Sequence, residues 1–254
     1  MEEKFSTALT KLQIPSYKIS GITVFHVNTS ESGVNLASTI LQDGIDKSFA
    51  LYLSGGRTPK DLYTKLSGEG KLTPGCAGLV DERYGEPFHE NSNELMLRET
   101  GILEYFEKNN IPFANILEGK SRNATTADYD EKIRELFAVY KKHAAVLGVG
   151  LDGHTAGIPS DLSVWQEEDI SRRSKTEMVI DYDDHGKFYN ERISMSFLPL
   201  SMMDVLVVMV FGQDKARALE WMFADGPEEE VPSRFFKRPD IAKKTILITD
   251  QNIH

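Results

Sequence analysis

Gly148-Val149-Gly150-Leu151-Asp152-Gly153-His154-Thr155-Ala156 follows the apolar run Ala144-Ala145-Val146-Leu147. Residues 146–149 read as a buried strand, and the glycines after them let the backbone turn sharply and approach a ligand closely. One imidazole stands just past the strand end, with the carboxylate of Asp152 two residues before it. In an open parallel sheet, ligands bind outside the carboxyl ends of the strands. A histidine placed there titrates near neutral pH and is suited to general-base work. By itself His154 reads equally as a turn or capping residue. Its glycine-rich setting, together with two further motifs, turns the reading toward chemistry.

Working outward from this stretch, strand and helix patterns alternate along the chain. Strand patterns cover residues 19–27, 49–53, 178–181, 193–196, 205–211 and 246–248, and a further strand ends at Leu79-Val80. Helical patterns cover residues 34–41, 59–66, 93–103, 128–140 and 213–223. The run Val205-Leu206-Val207-Val208-Met209-Val210-Phe211 is apolar throughout, as expected of a strand covered on both faces. This alternation predicts an α/β fold with a mostly parallel sheet and helices on both sides. No internal repeat or low-complexity linker breaks the pattern. The polar loop Asp225-Gly226-Pro227-Glu228-Glu229-Glu230 is too short to separate two domains. A single domain is expected over residues 16–254, after an N-terminal extension over residues 1–15 that reads as an appended, mobile helix.

Composition narrows the function classes. The 254 residues are 40% hydrophobic and 27% charged, which suits one large α/β domain. A formal net charge of −10 argues against broad binding to nucleic acid or anionic membranes, but leaves a small anionic ligand open because local cations decide that. No apolar run reaches the length of a membrane span, and Met1-Glu2-Glu3-Lys4 does not open a signal peptide. The lone Cys76 cannot form an intrachain disulfide and reads as a small core residue, so a cytoplasmic setting is expected. No metal or other cofactor is expected. His89-Glu90 starts like a zinc-binding helix but lacks a second histidine four residues after the first.

The second motif, Ser54-Gly55-Gly56-Arg57-Thr58-Pro59, follows the strand at residues 49–53. Two glycines allow a tight loop of converging N–H groups, with Thr58 expected as N-cap and Pro59 at the first helical position. Such a loop at a helix N-terminus suits a phosphate. It lacks the Gly-Lys-Ser/Thr ending of a Walker A loop. Arg57 reads either as a phosphate ligand or as a solvated loop charge. The third motif, Asp81-Glu82-Arg83, follows Gly78-Leu79-Val80 at a strand end. Its arginine is suited to gripping a phosphate, although an isolated triplet reads as well as a surface ion-pair cluster. Lys187, Arg192 and the Gly212-Gln213-Asp214-Lys215 turn supply further cations, each equally at home in solvent.

Together these segments resemble the 6-phosphogluconolactonases of the glucosamine-6-phosphate isomerase/6-phosphogluconolactonase family. The resemblance rests on Ser54-Gly55-Gly56-x-Thr58-Pro59, on Asp81-Glu82-Arg83-Tyr84 with Ser92-Asn93, and on Gly148-x-Gly150-x-Asp152-Gly153-His154-Thr155-Ala156. Lys187 with Glu191-Arg192-Ile193-Ser194 and Gly212-x-x-Lys215-Ala216 extend it, so that it runs from about Ile22 to Thr249. It implies a three-layer αβα, modified Rossmann-like fold shared with glucosamine-6-phosphate deaminases and ribose-5-phosphate isomerases. It implies a cytosolic enzyme of the pentose phosphate pathway that hydrolyses 6-phosphoglucono-1,5-lactone. His154 would be the general base, Gly55, Gly56, Thr58 and Arg83 the phosphate site, and Lys187 a further substrate contact. Ser54, Asp81 and Lys215 join the substrate-binding set.

The chain departs from the family pattern in three places. Gly157-Ile158-Pro159-Ser160 stands where Ser-Leu-Phe-Pro is usual, Gly85-Glu86 replaces valine and proline, and Phe188-Tyr189-Asn190 replaces prolines before Arg192. These departures bear on the sugar side of the site more than on the phosphate side.

A lactone is an activated ester, so water needs a base and an anchored substrate. His154 would take the proton of water, with Asp152 orienting the imidazole or stabilising its cation, and no covalent nucleophile is required. Ser54 and Thr155 lack an evident triad, which excludes a serine-hydrolase reading. Two alternatives remain. A sugar-phosphate isomerase or deaminase would use Asp81 as base, and deaminases resembling this chain carry a glutamate five residues after the motif histidine, where Pro159 stands here. A non-catalytic sugar-phosphate-binding regulator would keep the phosphate residues and have no need of the base. In each case the expected partner is a small sugar phosphate, with no nucleic acid and no membrane, and the chain a monomer or homodimer.

Overall fold

The computed structural model describes residues 3–11, 14–185 and 189–253. Eleven strands occur among them: β1 (Tyr17–Ile19), β2 (Ile22–His26), β3 (Phe49–Leu53), β4 (Cys76–Leu79), β5 (Asp81–Arg83), β6 (Phe113–Ala114), β7 (Lys142–Gly148), β8 (Val179–Asp183), β9 (Glu191–Met195), β10 (Val205–Val210) and β11 (Thr245–Thr249). Eight of them form one sheet in the order β1-β2-β11-β10-β7-β3-β4-β6. Every neighbouring pair in it is parallel except β1 with β2. Every residue of β3, β4, β10 and β11 is buried, so both faces of the sheet are covered, as a parallel sheet requires. The fold is therefore α/β, with a mostly parallel central sheet flanked by helices. No described helix is long and apolar enough to cross a membrane.

The strand order places the site. From β3 the chain adds β4 and β6 on one side, then returns to add β7, β10 and β11 on the other. The reversal lies between β3 and β7, whose register pairs Leu53 with Val146. At such a switch point the two following loops diverge and leave a crevice at the carboxyl ends. The Gly-Gly loop follows β3 and the His154 loop follows β7, so both open into that crevice.

Several boundaries differ from the sequence expectation. Residues 19–27 are not one strand. Ser20 and Gly21 both take positive φ (49° and 85°) and turn β1 back onto β2 as a hairpin. Residues 93–103 are not one helix either: Gly101, at φ 74°, separates Asn93–Glu99 from Ile102–Lys108. The segment at 193–196 belongs to β9, which lies outside the main sheet, in a small antiparallel sheet of order β5-β9-β8. That sheet begins one residue after β4: the chain leaves the main sheet at Val80, whose carbonyl receives the Met195 N–H at 2.8 Å.

The N-terminal helix Glu3–Lys11, expected as an appended and mobile element, contributes to the core. Phe5 is fully buried, its ring edge-on to Phe49 of β3 at 5.7 Å between centroids. Gly44, at the end of helix Ser30–Gly44, makes room for it, since a Cβ there would lie 2.8 Å from the Phe5 ring. Removing a buried aromatic ring costs about 3–5 kcal/mol through lost contacts and the cavity left behind. Phe5→Ala should therefore lower the unfolding free energy by about 3 kcal/mol in urea titration. A loss under about 1 kcal/mol would mean that the helix is only draped over the domain.

Candidate active site

The loop after β7 folds tightly around its histidine. The Gly150 N–H donates to the His154 carbonyl at 2.8 Å, and Thr155 Oγ1 donates to the Gly148 carbonyl at 2.9 Å. A side chain at Gly150 would place its Cβ 2.0 Å from His154 Nδ1 and 2.6 Å from Asp152 Oδ1, so only glycine lets the pair fold back over the loop. His154 Nδ1 lies 2.5 Å from Asp152 Oδ1, which also accepts the His154 backbone N–H at 3.2 Å. Burial pushes the Asp152 carboxyl up, but hydrogen bonds and charge from His154 outweigh it and hold the carboxyl well below its ordinary range. An ionised carboxylate can only accept, so the short contact is a hydrogen bond donated by His154 Nδ1, and Nε2 makes no hydrogen bond among the described residues.

Opposite stands the loop after β3. Gly56, at φ 106°, is the residue before helix Arg57–Glu69 and takes a conformation that side chains rarely adopt. This corrects two expectations: Thr58 is not the N-cap and Pro59 is not the first helical residue. Both sit inside the first turn because Gly56 starts the helix earlier, and no side chain caps it. Thr58 still lines the cleft, as do Ser54, Gly55, Gly56 and Arg57. The Ser54 hydroxyl is buried and has no hydrogen-bond partner among the described residues. Such a group costs free energy until something pairs with it.

The third wall comes from β5. Asp81 is almost buried, and Asn93 Nδ2 donates to its carbonyl at 2.8 Å and to its Oδ2 at 3.3 Å. Arg83 Nη1 donates to Asn93 Oδ1, and to the Asn91 carbonyl at 3.4 Å. Glu82, between them in sequence, points the other way and is fully buried. Its carboxylate accepts from the N–H groups of Arg83 (2.7 Å), Asn93 (2.7 Å) and Glu94 (3.0 Å), and from the Ser92 hydroxyl (2.9 Å). Burial raises its pKa and the four donors oppose that rise. The expected surface ion-pair cluster is thus absent among the described residues. Alternation along β5 splits the triplet, sending Asp81 and Arg83 to the cleft and Glu82 inward.

These walls enclose a cleft of about 750 Å³. Asp81, Arg83, Asp152, His154 and Lys215 all line it. Lys215 lies in a 3₁₀ turn before helix Ala216–Phe223 and donates to the Val149 carbonyl at 2.7 Å. Burial lowers its pKa. Arg57, Arg83 and Lys215 form no ion pair among the described residues, although Asp61, Asp81, Asp152, Asp214 and Asp250 line the same cleft and the charges of Asp214 and Asp152 act on Lys215. Lys187 lies outside the described residues. No group of three or more His, Cys, Asp or Glu among the described residues is placed to hold a metal ion.

The Gly157 departure from the family pattern has a spatial cause. A Cβ there would lie 2.9 Å from Ser194 Cβ and 3.0 Å from Asp81 Cβ. The Gly157 N–H donates to Ser194 Oγ at 3.0 Å, and the Tyr182 hydroxyl donates to the Gly157 carbonyl. The chain leaving His154 is thereby pressed against β5 and β9, which brings the histidine loop and Asp81 into one wall. Sequence reasoning attached roles to Asp81 and Arg83 but none to Glu82 or Asn93. The available signal was the fixed distance between the charged triplet and Ser92-Asn93.

The sequence profile of the glucosamine-6-phosphate isomerases/6-phosphogluconolactonase family matches residues 28–246. A 6-phosphogluconolactonase of Helicobacter pylori strain J99 is 30% identical over 184 residues, covering 70% of this chain and 74% of its own. A glucosamine-6-phosphate deaminase of Streptococcus uberis is 24% identical over 238 residues, covering 90% of this chain and 96% of its own. Among solved structures, a 6-phosphogluconolactonase from Plasmodium vivax superposes with a TM-score of 0.76 at 17% identity, covering 100% of this chain and 97% of its own. At that identity the likeness concerns the fold, while the sequence match over most of the chain carries the kinship. The chain therefore belongs to the glucosamine-6-phosphate isomerase/6-phosphogluconolactonase family.

Proposed function

We propose that the cleft hydrolyses 6-phospho-D-glucono-1,5-lactone to 6-phosphogluconate, the lactonase step of the pentose phosphate pathway, with His154 activating water. The observation that carries this reading is the His154–Asp152 pair at 2.5 Å, which leaves Nε2 as base in a cleft lined by unpaired cations. The named 6-phosphogluconolactonase relatives support the choice of substrate. In the reaction, water attacks C1 of the lactone while Nε2 takes its proton. The tetrahedral intermediate then collapses, the bond from C1 to the ring oxygen breaks, and the imidazolium returns the proton to that oxygen. Asp152 holds the Nδ1–H tautomer and stabilises the transient imidazolium. Arg83, Lys215, Thr58 and the N–H groups of the Gly-Gly loop hold the phosphate, which turns binding energy remote from C1 into orientation of the ester. Ser54 supplies a hydroxyl in want of a partner.

His154→Ala should lower kcat by about 10²–10⁴-fold with folding unchanged, the range for loss of a general base. Activity within a few-fold of wild type would remove His154 from the mechanism. Absence of lactone turnover by wild type would instead favour a protein that only binds sugar phosphates. Arg83→Ala should raise KM for the phosphorylated lactone by about 10–150-fold, equivalent to about 1.5–3 kcal/mol for a lost charged hydrogen bond. Unaltered discrimination between the phosphorylated and unphosphorylated lactones would exclude Arg83 as phosphate ligand.

The deaminase relative and the position of Asp81 in the cleft favour one second reading, proton transfer at C2 of a sugar phosphate. A lactonase forms no enediol. Turnover in deuterated water, read by proton NMR, should therefore leave C2 of the product free of enzyme-dependent deuterium. Its appearance there would make Asp81 the principal base.

A further inference from the structure

We infer that Asn93 is the positioning residue on which the phosphate end of this cleft is built: it selects the edge of Arg83 offered to substrate and sets the spacing of the Gly-Gly loop. The inference rests on the proposed role of Arg83 and extends it to a residue with no part in the chemistry.

Asn93 is 1% exposed, yet its carboxamide meets two of the three motifs, the charged triplet and the Gly-Gly loop. Its Nδ2 donates to the carbonyl and carboxylate of Asp81. Its Oδ1 accepts from Arg83 Nη1. The same oxygen backs onto Gly55, where a Cβ would lie 1.8 Å from it. Gly55 has an ordinary φ, so glycine is needed there for space alone, and the carboxamide is what fills that space. The amide cannot swing aside cheaply. Its backbone N–H is tied to the buried Glu82 carboxylate at 2.7 Å, and that carboxylate also binds the two flanking residues through Ser92 Oγ and the Glu94 N–H.

The consequence for Arg83 is geometric. With Nη1 committed to Asn93 and to the Asn91 carbonyl, the Nε–Nη2 edge has no partner among the described residues. That edge presents two parallel N–H groups, the arrangement that grips a phosphate through two oxygens. The carboxamide is also the side chain that suits both neighbours at once. It donates to the Asp81 carboxylate and accepts from the Arg83 cation, where a carboxylate would repel the first and neutralise the second.

The test compares Asn93→Asp, Asn93→Ala and Arg83→Ala in the full chain, with inorganic phosphate binding followed by calorimetry and lactone turnover by a coupled assay. Asn93→Asp should weaken phosphate binding and raise KM for the phosphorylated lactone at least 30-fold at pH 7.5, with kcat changed less than about 3-fold. Turnover of the unphosphorylated lactone should stay within about 2-fold of wild type for both Asn93 variants. Should those variants fail to fold, Gly55→Ala reads the same contact from the other side and should raise KM in the same way. Phosphate affinity and KM within 2-fold of wild type in Asn93→Ala, or in Gly55→Ala where the former does not fold, would overturn the inference. So would equal losses with both lactones. Retained affinity in Asn93→Ala beside lost affinity in Arg83→Ala would sink the Asn93 role and leave the Arg83 reading standing. Absence of phosphate binding by wild type would sink both.

Discussion

The parallel pairing of β3 with β7 is the constraint from which the rest of the site follows. Leu53 lies opposite Val146, and the ladder continues one step further as the Ser54 N–H donates to the Val146 carbonyl at 3.1 Å. Both strands are buried on both faces along most of their length. A slip of one residue would carry every side chain to the opposite face, so register is strongly held. Because the strands run the same way, the Gly-Gly loop and the His154 loop leave the sheet at the same end. Because they lie at the switch in strand order, no crossing connection fills the gap between them. The Gly-Gly loop and the His154 loop are thus brought together by the backbone hydrogen bonding of the sheet.

The site also resolves a tension in charge. The chain carries a formal charge of −10, yet an anionic substrate must enter the cleft. Two of the carboxylates that line the cleft are committed to other groups, and a third acid next to Arg83 in sequence is turned away from it. Asp152 is turned to His154, and Asp81 is turned to the Asn93 amide. Glu82 is taken inward to four neutral donors rather than paired with Arg83. A buried carboxylate held by backbone N–H groups at the start of a helix is tolerable without a cation. That arrangement leaves the arginine next to it in sequence unneutralised. These local commitments act at contact distance, whereas the overall balance acts over distances that salt screens.

Much of this was legible in the sequence, for identifiable reasons. The strands at residues 49–53 and 205–211 are unbroken apolar runs, and a run of that kind has few alternatives in an alternating chain. The loop glycines mark where the backbone must bend, which places both cleft loops in the sequence. What could not be read locally was set by distant partners. Residues 193–196 look like any other strand, and only pairing with β5 and β8 draws them out of the main sheet. Phe5 looks like an ordinary apolar residue of a terminal helix until Gly44 provides the space that receives it. Thr58 and Pro59 carry genuine helix-start signals, but Gly56 begins the helix two residues early. Glu82 and Asn93 escaped because their roles consist of contacts eleven residues apart, between a strand and a helix that propensity treats independently.

The small sheet of β5, β9 and β8 has a consequence for motion. It carries Arg83 and Asp81, and through Ser194 it also grips Gly157 just beyond His154. Opening of this sheet would release the arginine and the histidine loop in a single event. The amides of β5, β9 and residue 157 should then share one opening free energy in native-state hydrogen exchange, below that of β3 and β7 in the main sheet. Arg83 and the His154 loop would accordingly be lost or kept as one cooperative unit, while the Gly-Gly loop, which follows β3 of the main sheet, would outlast that opening.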